Sequence, residues 1–398
     1  MTAPSPFPPL VEPAPELSRE ELERYSRHLT LPQLGVDGQR RLKNARVLVI
    51  GAGGLGAPAL QYLAAAGVGT LGVVDDDVVS VSNLQRQVIH GMPDIGRAKV
   101  DSAADAVVRL NPLVTVRTHG ERLTPDNAVG IFSGYDLVMD GADNFGTRYL
   151  VSDAAELVGI PVVWGSILRF DGQVSVFWSG HGPVYRDLFA EAPAPGQVPS
   201  CAEGGVLGML PATIGSVMVT EALKLITGVG RPLVGRVLIH DALAQTWREL
   251  TVLPDPDRPP VTDLSQVAVS CGVPPADDAA PASHETVTAP ELAWLLTSRS
   301  LGETSFTLID VREDWERDLV AIPGSVQVPL EEILDRGVSA LPDSAEGNVI
   351  LHCKAGVRSA RALGALRGDY ALREDTVKHL DGGVLAWVDQ VDPSLPRY

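Results

Sequence analysis

The sequence predicts an α/β protein in two parts: a doubly wound sheet with an antiparallel extension, then a second, smaller α/β domain. Three observations carry this. Short aliphatic runs at 47–50, 70–74, 114–118, 136–139 and 161–164 alternate with alanine-rich or amphipathic segments at 58–66, 97–110, 125–131 and 148–157, the pattern of parallel strands and crossover helices. After Gly165 the runs at 173–178, 236–240 and 246–252 read as antiparallel strands added to the sheet. A proline-rich stretch without periodicity, 254–283, then separates this region from a new alternating pattern over 284–398.

The first element after an expected disordered tail (1–17) is a helix. Ser18 and Glu21 have the spacing of a capping box, and the helix carries Arg24, Tyr25, Arg27 and His28. The strand 47–50 then runs into Gly51-Ala52-Gly53-Gly54-Leu55-Gly56. Gly51, Gly53, Gly54 and Gly56 carry no Cβ to keep a phosphate from the backbone N–H groups, and the helix that follows adds unpaired donors. The next strand ends in Asp75-Asp76-Asp77, where an acid can hold a ribose hydroxyl pair. Residues 46–77 therefore read as one Rossmann-like βαβ nucleotide unit. The glycine pattern by itself suits NAD. The fixed cations Arg86 and Lys99 that follow, and Asp143 at the end of 136–139, suit instead an enzyme that splits ATP between its α- and β-phosphates, where charge grows on the leaving pyrophosphate. Asp143 is placed to carry Mg²⁺ against those phosphates.

Gly51–Gly56, Asp75 and Asp77, Ser82-Asn83-Leu84-Gln85-Arg86-Gln87, Lys99 and Asp143-Asn144 occur in the order of the ubiquitin-activating-like family. Over about 22–253 the chain resembles its bacterial adenylyltransferases for ubiquitin-fold sulfur carriers, such as the small subunit of molybdopterin synthase. The resemblance implies ATP and Mg²⁺ as cofactors and a carrier protein with a Gly-Gly tail as partner. It implies a homodimer in which Arg27 reaches the partner copy's ATP site. It also puts Cys201, just before the Gly-Val-Leu-Gly segment, at a position that takes part in catalysis in several relatives. Many relatives hold a structural zinc with two Cys-x-x-Cys pairs. Val184 and Asp187 stand where the first pair would be, and only Cys271 lies beyond 253, so no zinc of this type is expected.

The second domain opens with a helix near 290–298, and strands are expected at 306–312 and 349–353. The latter runs into Cys353-Lys354-Ala355-Gly356-Val357-Arg358-Ser359 and a helix over 360–366. A cysteine at that turn faces a ring of N–H donors and a helix N-terminus, which together with the neighbouring cations favour thiolate. With Ile309-Asp310-Val311-Arg312-Glu313, Ile322-Pro323-Gly324 and Leu380-Asp381-Gly382-Gly383, the domain resembles the rhodanese sulfurtransferases. The rival is a cysteine phosphatase of the same fold. Those place five residues between cysteine and arginine, whereas four separate Cys353 from Arg358, a loop better sized for sulfur.

Together the halves imply one sequence of events. ATP adenylates the carrier's terminal glycine, and a Cys353 persulfide, loaded by a cysteine desulfurase or thiosulfate, attacks the adenylate on the way to a thiocarboxylate. Cys201 either cleaves the resulting acyl-disulfide or holds the carrier as a thioester; the residues leave both open. Molybdopterin, thiamine, cysteine and tRNA thiolation all use such tails. The alternatives are an enzyme forming a thioester or conjugate with the rhodanese domain only regulatory, a non-enzymatic scaffold, and an NAD-dependent dehydrogenase fused to a sulfurtransferase.

Composition narrows the partners. A net charge of −18 disfavours binding nucleic acid through its phosphates. Three cysteines (201, 271 and 353) suit a reducing cytoplasm and no disulfide framework; Cys271, in the linker, has no expected role. The proline-rich start does not resemble a signal peptide, and the uncharged stretch 204–220 reads as a buried helix rather than a membrane span.

Overall fold

In the computed structural model the described residues are 5–192, 205–265, 285–342, 348–367 and 376–398. The chain divides into two compact units, Met1–Val273 and Pro274–Tyr398.

The first unit is built on eight strands: β1 (Arg46–Ile50), β2 (Thr70–Val74), β3 (Thr115–His119), β4 (Leu137–Asp140), β5 (Val162–Leu168), β6 (Asp171–Phe177), β7 (Arg236–Asp241) and β8 (Thr246–Thr251). Their order is β3-β2-β1-β4-β5-β6-β7-β8. The first five are parallel, and β5–β8 pair antiparallel. The order reverses between β1 and β4, which opens a crevice at their carboxyl ends, where open α/β sheets bind ligands. Leu48, Val49, Val138 and Met139 are fully or almost fully buried, as strands covered on both faces require.

The helices Gly56–Ala66 and Leu210–Thr227 pack on one face of this sheet. A Cβ on Gly56 would overlap the carbonyl oxygen of Gly51, and one on Gly215 would overlap the Pro58 ring. These glycines set how closely the helices approach the nucleotide turn. Leu210–Thr227 is long and apolar enough to cross a membrane, yet 61% of it is buried in the unit.

The amino-terminal region departs from expectation. Ser18 and Glu21 do form the capping box, but residues 5–17 are not a free tail. Leu10 N donates to Leu225 O at 3.1 Å, and Ala14 N to Arg40 O at 3.0 Å. Arg40 Nε returns a bond to Ala14 O at 2.7 Å. Phe7, Leu10 and Val11 pack on the core, with Phe7 5.8 Å from the Trp178 ring. Scattered apolar residues among prolines have no periodicity, so only the tertiary surface shows what they cover. The linker is likewise shorter than 254–283: Leu264 is buried in the first unit's second core, and Arg258 pairs with Glu156 and Asp187.

The second unit has five parallel strands in the order β11-β10-β12-β13-β9: β9 (Thr286–Val287), β10 (Thr307–Asp310), β11 (Ser325–Gln327), β12 (Val349–His352) and β13 (Val377–Leu380). Two apolar cores lie within it, one containing Ile309, Leu351 and Leu363, the other Leu308, Leu380 and Trp387.

The amino-terminal strap is a stability element. Replacing Phe7 and Leu10 together by alanine is expected to cost roughly 2 kcal/mol, about 1 for each half-buried side chain. A urea melt of the full chain should show a lower midpoint for the first unit.

Candidate active sites

A cleft of about 260 Å³ lies at the carboxyl ends of β1, β2 and β4. Gly51, Gly53 and Gly54 form its floor, and Asp75, Asp77, Arg86, Lys99, Asp143 and Asn144 line it. Gly51 sits at φ +84°, a left-handed conformation open to glycine, and this directs the chain from strand into turn. Gly53 has no nearer neighbour to an added Cβ than Gln87 Nε2 at 3.7 Å, so its backbone is open to a ligand.

The acids of the second strand have divided roles. Asp75 accepts from Ala52 N at 2.8 Å and from Asp77 N at 2.9 Å, so it braces the glycine turn. Burial raises its pKa, against the attraction of Lys99. Lys99 Nζ lies 2.7 Å from Asp77 Oδ2, and this amine is nearly buried while the carboxylate is mostly exposed. Arg86 leans across Gly54 and donates to Ser82 O at 3.0 Å. Asp143 and Asn144 are exposed on the opposite wall; Asn144 also caps the next helix by accepting from Thr147 N at 2.8 Å.

Not every expected residue lines the cleft. Asn83 accepts from Ser80 N at 3.0 Å and caps a helical turn, and Ser82 meets the Ser80 hydroxyl. Gln85 lies against Gly208. Arg27 is exposed on the short helix Ser26–Leu29, outside the cleft. Cys201 and Cys271 lie outside the described residues. At the expected zinc positions, Val184 is buried and Asp187 accepts from Arg258 Nε at 3.1 Å.

Other residues in and behind the cleft take roles that the sequence does not assign, Gln87 of the 82–87 motif among them. Gln87 is buried at its edge, and its Oε1 has no partner, an acceptor left for a ligand. Arg148 is buried behind Asp143, with Nε on Ala142 O at 3.1 Å. Asp140 is buried beneath the same turn, and burial pushes it up to about 6. His90 bridges Ala52 O at 3.0 Å and the Ser102 hydroxyl at 2.8 Å, fixing the turn from behind.

In the second unit, β12 ends at His352 and the helix Val357–Leu366 begins inside the cysteine loop, three residues earlier than expected. Gly356, at φ +95°, turns its N–H to Cys353 Sγ at 3.1 Å. The Ser359 hydroxyl lies 3.5 Å from the same sulfur and 3.3 Å from His379 Nδ1. Gly383 lets the Cys353 carbonyl approach: a Cβ there would overlap it, and Val384 N donates to it at 2.8 Å. Cys353 is 1% exposed, so its thiol is set into the loop rather than standing on it.

The loop cations are differently placed than the sequence implies. Arg358 donates both Nη groups to Glu316, at 2.6 and 2.7 Å. Burial would raise the Glu316 carboxyl, but these bonds pull it below its ordinary value. The Lys354 ammonium sits 4.8 Å over the Tyr398 ring, and burial lowers its pKa. The hydrogen bonds to the sulfur come from the Gly356 N–H and the Ser359 hydroxyl instead.

Residues 25–260 match the ThiF family and residues 292–390 the rhodanese-like domain. The chain belongs to the ThiF family, fused to a rhodanese-like domain. It is an adenylyltransferase and a sulfurtransferase. It is 56% identical to a probable adenylyltransferase/sulfurtransferase MoeZ of Mycobacterium tuberculosis, over 98% of this chain and 99% of that protein. It is 41% identical to the adenylyltransferase and sulfurtransferase MOCS3 of Bos taurus, over 99% and 90%. The sulfur carrier protein adenylyltransferase of Thermus thermophilus is 52% identical, over 64% of this chain and 98% of its own length. Among solved structures, Escherichia coli MccB with ATP aligns at 18% identity and a TM-score of 0.54, covering 60% of this chain and 74% of that one. That likeness shows the fold of the ThiF unit.

His352 offers a pH test of the rhodanese core. It is fully buried, neither ring nitrogen has a hydrogen-bond partner although Asp310 Oδ1 lies 3.8 Å from Nδ1, and burial drives its pKa down to about 4. The unfolded chain takes up this proton near pH 6.5, the folded chain only near 4. The contribution is therefore complete above the unfolded value and is lost as pH falls through that window, up to about 3 kcal/mol. Thermal melts of the full chain from pH 7 to 4.5 should show the rhodanese transition falling, with a shallower slope in His352→Leu.

Proposed function

We propose that this enzyme adenylates the terminal glycine of a ubiquitin-fold sulfur carrier and converts that carboxylate to a thiocarboxylate with sulfur from Cys353. The observation that carries this reading is the pairing, in one chain, of two turns of the same construction. One is a phosphate-sized glycine cradle faced by Arg86 and Lys99, the other a thiol held by the Gly356 N–H and the Ser359 hydroxyl at a helix start. The relatives named for carrier adenylation and for sulfur transfer support it.

The carrier carboxylate attacks the α-phosphorus of ATP, forming a C–O–P bond, and pyrophosphate leaves. Lys99, drawn off Asp77, and Arg86 face the charge that grows on the pyrophosphate. The open turn at Gly53 and the orphan Gln87 acceptor fit a nucleotide. Asp143, a hard oxygen donor, suits Mg²⁺ taken up with it; bound there, the ion supplies further charge neutralisation. Arg27 acts on the site of the second copy in a homodimer.

In the rhodanese half, the Cys353 thiolate takes the outer sulfur of a donor persulfide, R–S–S⁻, and releases R–S⁻. The terminal sulfur of Cys353–S–S⁻ attacks the acyl carbon and AMP leaves, giving an acyl-disulfide. A second thiolate, with Cys201 the candidate, attacks the Cys353 sulfur and releases the thiocarboxylate. A dithiol reductant returns the resulting disulfide to two thiols. The stretch between the units keeps Cys353 at high local concentration around the adenylate.

The test weighs the carrier. Incubation with ATP, Mg²⁺, thiosulfate or a desulfurase with cysteine, and each candidate carrier should exchange one oxygen for one sulfur on the matching carrier. Cys353→Ala should abolish that exchange while carrier-dependent pyrophosphate release continues. Lys99→Ala should slow pyrophosphate release by roughly a hundredfold. Absence of any carrier-dependent pyrophosphate release overturns the proposal, and unchanged thiocarboxylate in Cys353→Ala reduces the rhodanese half to a regulatory role.

A further inference from the structure

The segment after the helix Gly383–Gln390 folds back onto its own domain and brings Tyr398 to the cysteine loop. It is anchored on the way: Leu395 and Tyr398 pack on the second apolar core, and Arg397 pairs with Asp389. At the loop Tyr398 makes several contacts, among them the Arg312 guanidinium 5.7 Å from its ring centre. Its hydroxyl donates to Glu316 Oε1 at 3.0 Å and accepts from Arg312. Its ring lies under the Lys354 ammonium, and Trp315 meets it edge-on at 6.4 Å.

The base of this network is rigid. Arg312 is fully buried and bound to Asp310 through two nitrogens, at 2.8 and 2.6 Å, and to Val320 O at 2.7 Å. Glu316, 3% exposed, takes the Tyr398 hydroxyl and both Arg358 nitrogens. Lys354 and Arg358 are the two cationic side chains of the loop 353–359. Tyr398 touches the first directly and the second through Glu316.

We propose that Tyr398 is a positioning residue for sulfur transfer, holding Lys354 by its ring and Arg358 by way of Glu316, so that the Gly356 N–H and the Ser359 hydroxyl, rather than either cation, face the sulfur on Cys353. The two parts of the side chain have separable effects. The hydroxyl orients Glu316 and thereby the first turn of the helix that carries Arg358 and Ser359. The ring holds Lys354, a cation that would otherwise be available to an anionic donor.

The test uses the full chain and the transfer of sulfur from thiosulfate to cyanide, which yields sulfite and thiocyanate. Rates are taken per Cys353 thiol titrated as the cyanide-labile sulfur it takes up from thiosulfate, so that a loss of folded protein drops out. Tyr398→Phe keeps the ring and loses the hydroxyl. It should lower kcat by roughly tenfold, the scale of a hydrogen bond to a charged group, and leave KM for thiosulfate unchanged. Tyr398→Ala loses both parts. It should lower kcat at least as far and also lower KM severalfold, because Lys354 is freed toward the dianion. A kcat per titrated thiol within twofold of the parent in both variants overturns the proposal, as does a KM that moves as far in Phe as in Ala. The inference rests on the sulfurtransferase activity alone. The assay contains neither ATP nor carrier, so its failure leaves the carrier reading standing.

Discussion

Both halves of this enzyme depend on the N–H groups that a helix leaves unpaired when it starts directly after a buried parallel strand. At such a turn three or four donors converge on one point at the end of the sheet, with no side chain in the way. Gly51 makes the turn in the ThiF unit and Gly356 in the rhodanese unit, each at positive φ. The first leads into the helix Gly56–Ala66, the second into Val357–Leu366. One turn suits the phosphates of a nucleotide; the other holds a sulfur atom 3.1 Å from an amide nitrogen. The difference lies in what fills the turn. The nucleotide turn is left open, while the sulfur turn is occupied by the chain's own cysteine.

Each turn is braced from outside itself. In the ThiF unit Asp75 holds the Ala52 amide and His90 holds the Ala52 carbonyl, so the peptide groups on either side of that residue are fixed. Burial keeps His90 below its ordinary pKa. In the rhodanese unit the Gly382-Gly383 pair, both at positive φ, lets Val384 and Leu385 bond the Cys353 and Lys354 carbonyls. Preorganised donors of this kind need little rearrangement when charge appears, which is the physical basis of their value in catalysis.

The charged side chains follow a common pattern too. Lys99 rests on Asp77, and Arg358 on Glu316. Both cations are paired by carboxylates of their own unit. The pairs differ in exposure: Asp77 is mostly exposed and Glu316 is buried. A solvated partner costs little to leave, whereas a buried carboxylate stripped of its cation is expensive. Lys99 is thus available to a phosphate, and Arg358 is committed to the architecture of its loop.

Much of this was legible in the chain itself. Strand–glycine–helix turns announce themselves locally, because an aliphatic run, a glycine and an alanine-rich segment are adjacent in sequence. Gly51 and the loop 353–359 are legible that way, while Asp75 and Asp143 show as acids closing aliphatic runs, Lys99 as a cation that follows them, and Ser18 by its capping-box spacing. The sequence by itself determined the two α/β units, the order of elements in the first and the chemistry each turn favours; three of the second unit's five strands, Thr286–Val287, Ser325–Gln327 and Val377–Leu380, carry too short a pattern to read. Tertiary structure alone decided which charges are free, what the amino-terminal segment covers and what stands behind each turn. Asp187 meets Arg258 across 71 positions, and Arg312 meets Tyr398 across 86. Such pairs leave no period or spacing to read, because they are made by surfaces that exist only once the sheets have formed.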